Sequence, residues 1–260
     1  MIQDNSSGKP LAASNWLEDH HLAKLNERTD FAKKLIEFKP KSIVDLGCAT
    51  GLWLELLNQY LPTDCEFIGI DSDEESLKIA SNKSKSWKRK TTYLKLDIEK
   101  ESNLIPPADI TLAFNIFPYI EKIDDFINTL AKRRPKGILA VRQYDGASIR
   151  FGPMPTDVRQ TIESDLRVST ETSSRFKHYD LDRTFIALKK SNYKKCEYDF
   201  ELFHRITPFE QSFIPYYTNM ITWTSEHVSE NSSMLLKKWL NDENVSNRYF
   251  FEVDLVALLS

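Results

Sequence analysis

At 260 residues and 41% hydrophobic composition, the chain is long enough for one well-buried α/β core with insertions and too short for two domains of ordinary size. Its formal net charge of -3, with 28% of residues charged and the signs mixed, argues against a nucleic-acid partner, which would favour a basic surface. No apolar run approaches the roughly 20 residues that span a bilayer.

Residues 1–10 are polar and lack the apolar centre of a signal peptide, so neither secretion nor a membrane partner is expected. The three cysteines, Cys48, Cys65 and Cys196, form no CxxC pair, which indicates no metal site and no disulfide framework and suits a reducing cytoplasm. The basic run Lys83, Lys85, Lys88, Arg89 and Lys90 reads as a solvated helix end.

In chain order, the segment to about residue 13 reads as a disordered tail. Residues 16–38 read as one helix, with Leu17, Leu22, Leu25, Phe31, Leu35 and Ile36 inward, ended by Pro40. Residues 1–38 are thus a tail and helical cap, ahead of a main domain at 39–260. Strands follow at 42–46, 66–70, 91–96, 109–114 and 137–142, alternating with helices that begin at Gly51, at Ser72 and near Asp124. Ser72 and Glu75 have the capping-box spacing. Strands alternating with helices predict a doubly wound, mostly parallel sheet covered on both faces.

Beyond Tyr144 the rhythm changes. Helices are expected at 156–173 and 181–191, a strand at 193–205, an aromatic-rich helical region at 209–240 and a last strand at 248–258. Insertions at about 146–192 and 206–246 are expected to form a lid over an acceptor.

The segment Val44-Asp-Leu-Gly-Cys-Ala-Thr-Gly51 joins the first strand to its helix. Glycines at 47 and 51 let a ligand approach the backbone. Asp71 ends the second strand, where a carboxylate suits a ribose diol. Read from Gly47, the dinucleotide pattern G-x-G-x-x-G fails at Ala49 and Leu52. Asp45 would repel a pyrophosphate and attract an ammonium group.

Asp45-Leu-Gly-Cys-Ala-Thr-Gly51 resembles the D-x-G-x-G-x-G loop of class I S-adenosylmethionine (SAM)-dependent methyltransferases, with Ala49 in place of the middle glycine. Ile68-Gly-Ile-Asp71, Leu96-Asp97 and Ala108-Asp109 into Phe114-Asn115 continue the likeness over roughly residues 40 to 145. The resemblance implies a seven-stranded Rossmann-like sheet, SAM as cofactor and a methyl-transfer activity. It implies that Asp45 meets the methionine ammonium and that Gly47, Cys48, Ala49 and Gly51 pass beneath the cofactor. Asp71, with Ser72, would hold the ribose. Asp97 and Ile98 would hold the adenine, and Asn115 and Ile116 would lie beside the transferred methyl. Asp97 is alternatively an ordinary turn carboxylate.

Asn115-Ile-Phe-Pro-Tyr119 resembles the N-P-P-Y box of enzymes that methylate planar nitrogens, but the box is contiguous and this segment is not. Phe117 and Tyr119 are either acceptor contacts or sheet packing. Further acceptor candidates are Arg142, Tyr144 and Arg150 beyond the fifth strand, and Tyr216 and Tyr217 in the second insertion. Arg142 is alternatively a structural partner of Asp145. His178 is the candidate base, while His20 and His21 are placed to close over the cofactor. The expected acceptor is a small molecule. A protein or RNA substrate and a non-catalytic SAM-binding role are the rivals, and a homodimer is one option for assembly.

Overall fold

A computed structural model describes residues 13–174 and 176–260. The expected disordered tail therefore lies, but for Ala13, outside the described residues. Helices α1 (Ser14–Ala23) and α2 (Leu25–Glu37) precede the alternating unit: β1 (Ser42–Leu46), α3 (Leu52–Asn58), β2 (Glu66–Asp71), α4 (Glu74–Ser84), β3 (Thr91–Lys95), β4 (Ile110–Phe114), α5 (Ile123–Arg133) and β5 (Ile138–Tyr144). Then come β6 (Arg150–Gly152), α6 (Thr156–Thr172), α7 (Leu181–Lys190), β7 (Cys196–Ile206), α8 (Ile214–His227), α9 (Glu230–Leu240) and β8 (Tyr249–Leu259).

Strands β3-β2-β1-β4-β5 are parallel in that order. The long strand β8 runs antiparallel between β5 and β7. The expected doubly wound, mostly parallel sheet is present, with one strand more than expected. The short β6 continues the line of β5 along β8, pairing Phe151 with Phe250. Side chains alternate between the faces, as a pleated strand requires. Val44, Leu46, Leu139 and Val141 pack under α5 and α7. Ile43, Ile110, Leu112 and Ala140 pack under α2 and α3. A separate cluster of Phe151, Leu166, Phe213, Tyr217, Leu236 and Phe250 joins α6, α8 and α9 to the extended end of β8.

Three local expectations are corrected. The helix at 16–38 is two helices, because Lys24 leaves helical geometry (φ -109°, ψ 20°). Its ammonium turns inward to Glu252 and lies 3.0 Å from Asp254. The helix after β2 is capped by Asp73 and not by Ser72: the Asp73 carboxylate accepts from the N–H of Glu75 and Ser76. The 209–240 region breaks at Val228, and Ser229 caps a second helix.

The N-terminal helices are not an independent cap. Phe31, Ala32 and Leu35 of α2 belong to the sheet core. Lys24 is 2% exposed and Glu252 is 0% exposed. Removing one partner of such a buried pair leaves an uncompensated charge. Lys24→Ala is expected to lower the unfolding free energy by about 3–5 kcal/mol, read from urea titration.

Candidate active site

The turn after β1 is shaped by backbone that most side chains resist. Gly47 has φ +67°, and a Cβ there would sit 2.8 Å from Ile116 Cγ2. Gly51, at φ +77°, is the N-cap of α3. Ala49 also has a positive φ, +45°. This is the position where the resembling loop carries glycine, and a left-handed alanine is strained by about 1–2 kcal/mol. Asp71 ties the turn down: Oδ2 accepts from Ala49 N–H at 2.8 Å and Oδ1 from Asp73 N–H at 2.9 Å. A carboxylate has about four acceptor directions, so two remain for a diol.

Asp45 is 3% exposed, and among the described residues no cation lies within ion-pair distance of it. Burial, then the charge of Asp71, push its carboxyl up to about 8, against an opposing pull from Arg28. Such a group lacks a cation, and the ammonium of a bound amino acid would supply one. An orphaned buried carboxylate and, beside it, an acid with spare lone pairs together fit a SAM-type cofactor.

The other expected cofactor residues are placed as follows. Asp97 Oδ1 accepts from the N–H of Glu99 and Lys100, both at 3.2 Å, in the manner of a turn carboxylate. Ile98 packs against the sheet core. Asn115 sits at φ +56°, its Oδ1 accepting from Tyr144 N–H at 3.1 Å, so it fastens the ends of β4 and β5 together. Cys48 is buried, and its N–H donates to the Ile70 carbonyl at 2.9 Å. Ser72 leads into the turn that Asp73 caps.

The acceptor candidates separate into two groups. Tyr119, Tyr144 and Tyr179 converge from the β4 loop, the end of β5 and the approach to α7. The Tyr179 hydroxyl donates to Tyr119 at 3.2 Å, and the Tyr144 and Tyr179 rings lie 5.6 Å apart. Trp223 of α8 closes on both, at 6.1 and 6.0 Å. These tyrosines keep some accessible surface, yet burial raises the pKa of each. On the α1 side, His20 stacks on Tyr216 at 4.9 Å. Burial, then Arg28 and Lys24, keep His20 well below the usual imidazole range.

The second group is absorbed by packing. Phe117 is 0% exposed within the core. Tyr217 is buried against Phe209 and Phe213. Tyr216 donates to Glu252 at 2.8 Å. Arg150 is held by Glu163 at 2.6 Å and lies over Phe251. Arg142 pairs with Glu201 at 2.7 Å and Asp254 at 3.1 Å; Asp145 instead accepts from Ser148. His178 has φ +76°, and its Nε2 lies 3.2 Å from Glu121 Oε2.

Sequence reading missed Lys24, Arg28, Glu252 and Asp254. Arg28 Nη1 lies 2.6 Å from His21 Nδ1, and its guanidinium is 5.1 Å above the Trp53 ring.

Residues 44–139 match the methyltransferase domain family. The plantazolicin methyltransferase BpumL, crystallised with S-adenosylhomocysteine and a monoazolic desmethylPZN analog, superposes with TM-score 0.50 at 20% identity over 95% of this chain and 87% of its own. The YcgJ protein from Bacillus subtilis superposes with TM-score 0.55 at 12% identity, over 90% and 97%. At these identities the likeness is one of fold. The protein-lysine N-methyltransferase efm4 of Schizosaccharomyces pombe is 31% identical over 93 residues, 34% of this chain and 36% of efm4. Residues 44–139 are thus similar to a methyltransferase domain, and the chain shares the fold of the plantazolicin methyltransferase and of YcgJ.

Two predictions follow from the turn. Asp45 has a folded-state pKa near 8 against an ordinary 3.8, so without cofactor its contribution is retained below pH 4 and lost as pH rises through 8. Asp45→Asn should therefore be more stable than the parent at pH 8.5 by roughly 1–2 kcal/mol, a gap that closes by pH 4 in paired thermal melts. Ala49→Gly relieves the left-handed alanine and should raise stability by about 0.5–1 kcal/mol in the same assay.

Proposed function

We propose that this protein is a SAM-dependent methyltransferase acting on a small acceptor enclosed by the N-terminal helices and the two insertions. The observation that carries the cofactor half is Asp45, a buried carboxylate without a cation at the turn after β1. The acceptor half is supported by the walls formed by Tyr119, Tyr144, Tyr179 and Trp223, with α1 and α8 joined above them through His20 and Tyr216. Aromatic walls suit a flat or apolar acceptor.

When bound, the cofactor supplies a methyl group on a sulfonium that already leaves readily. The remaining work is alignment and exclusion of water. In this reading Asp45 fixes the amino-acid end of the cofactor and Asp71 the ribose. The turn at 47–51 sets the depth of the sulfonium, and the aromatic walls hold the acceptor in line. An acceptor that carries a proton needs a base only at the moment of transfer. His20, kept neutral by burial and by the nearby cations Arg28 and Lys24, stacks on Tyr216 and is the candidate for that base, whereas His178 is engaged by Glu121. The free cysteines support a reducing compartment, and no helix among the described residues is long and apolar enough to cross a membrane.

A protein acceptor is the second reading, favoured by the match to efm4. Transfer of labelled methyl from SAM to extracted metabolites and to intact proteins separates the two. Label found in proteins alone would overturn the small-acceptor reading. S-adenosylhomocysteine at about 100 times its Kd should stabilise the parent by roughly 2–3 kcal/mol. Asp71→Ala should lose that shift, and a retained shift removes Asp71 from the cofactor site.

A further inference from the structure

Strand β7 is an outer edge of the sheet: among the described residues it pairs with β8 on one side and with no strand on the other. Edge strands are usually short, bulged, or interrupted by proline or charge, because a row of open N–H and C=O groups is a template for another strand. The opposite edge, β3, is five residues long. β7 runs for 11 residues in unbroken register with β8, without proline or glycine.

The ladder fixes which of its groups are open. Lys195 and Ser260 exchange N–H···O bonds in both directions at 2.8 Å, and Thr207 N–H donates to the Arg248 carbonyl at 2.9 Å. In an antiparallel pair such residues alternate with residues that turn their N–H and C=O the other way. Odd-numbered residues of β7 therefore bond β8. Cys196, Tyr198, Phe200, Leu202, His204 and Ile206 present theirs to the open edge, and their side chains share one face of the sheet. None of the six is an acid, a lysine or an arginine. Phe185 of α7 packs beside Tyr198 at 5.4 Å. Beyond that contact, Phe200, Leu202 and Ile206 are 55%, 57% and 65% exposed. The opposite face carries acids first and a base last: Glu197, Asp199, Glu201 and then Arg205. That polarity complements itself when a second strand lies antiparallel.

We propose that β7 pairs with β7 of a second copy of this chain, antiparallel about a two-fold axis at Leu202, and so joins two sheets into one. The charges select the register, because like charges directly opposed are unfavourable and opposite charges are favourable. An axis at Phe200 would set Asp199 against Glu201 of the partner subunit, and an axis at Glu201 would set that carboxylate against its own copy. An axis at Phe203 would set Glu201 against Arg205 of the partner subunit, but Glu201 is already held by Arg142 at 2.7 Å. With the axis at Leu202, Asp199 faces Arg205 of the partner subunit, and two-fold symmetry makes that contact twice. Asp199 is exposed and has no ion pair among the described residues. The Nη groups of Arg205 are taken by Glu27 and by the Ala23 and His204 carbonyls, which leaves Nε–H for a further acceptor. On the apolar face the same register sets Leu202 on its own copy and Tyr198 on Ile206 of the partner subunit.

Sedimentation equilibrium of the full chain is the first test. At about 100 μM the parent should have twice the mass of one chain. Leu202→Lys opposes two ammonium groups at the axis and should raise the dimer Kd about 100-fold with an unchanged far-UV circular dichroism spectrum. Asp199→Lys, on the other face, should raise it about 10-fold. Mild oxidation tests the register. Leu202→Cys should form an intermolecular disulfide, because directly opposed residues stand roughly 5.5 Å apart. Phe200→Cys should not, because it lies roughly 14 Å from its own copy. A monomeric parent, a dimer that both lysine variants leave intact, or cross-linking at Phe200→Cys in place of Leu202→Cys would overturn the proposal.

Discussion

The buried ionic knot between the start and the end of the chain is the constraint on which the site depends. Lys24 meets Glu252 and Asp254, and Arg142 at the end of β5 reaches Asp254 from the other side. Burial raises the carboxyl of Glu252, while at Asp254 the penalty of burial is outweighed by Lys24 and Arg142 and the pKa falls. Desolvating these charges is expensive, so the arrangement adds little net stability, yet loss of any one partner would leave an uncompensated buried charge. It holds α1 and α2 over the carboxyl ends of the strands, where ligands of such sheets bind. His20 on α1 and Arg28 on α2 take their positions from it.

The turn after β1 shows the opposite economy. It contains little side-chain volume, and its geometry is stored in backbone angles and in two hydrogen bonds to Asp71. Asp71 therefore acts before any ligand arrives, by holding Ala49 in a left-handed conformation that alanine resists. Asp45, beside it, is left without a countercharge. A site that is rigid in shape and unsatisfied in charge is preorganised for a cation, because neither reorganisation nor competition from an internal partner opposes binding.

The alternating half of the molecule was legible because each of its elements follows a local rule. Periodicity placed β1 through β5 within a residue or two, and the glycines at 47 and 51 marked the turn that joins β1 to α3. Errors arose where tertiary contacts override the pattern. Ser72 and Glu75 have capping-box spacing, but Asp73 reaches the same amides first. Leu17, His21, Lys24, Arg28, Phe31 and Leu35 follow a single helical stripe, so three charged or polar residues interrupt a core face. Glu252 and Asp254 likewise interrupt an apolar strand on the face of Phe250 and Val256. These two interruptions are complementary, and each is a signal only once the other is known to face it. The aromatics of the second insertion misled for a related reason: Tyr217 and Phe213 have the composition of a binding wall and the burial of a core.

The Lys24–Asp254 contact joins residues 230 positions apart. Synthesis delivers the lysine early and its carboxylate near the last strand, so this tether cannot form until β8 has emerged and paired with β5 and β7. Placement of α1 and α2 over the turn at 45–51 is thereby made conditional on β8, and a product lacking that strand would lose the tether that holds them there.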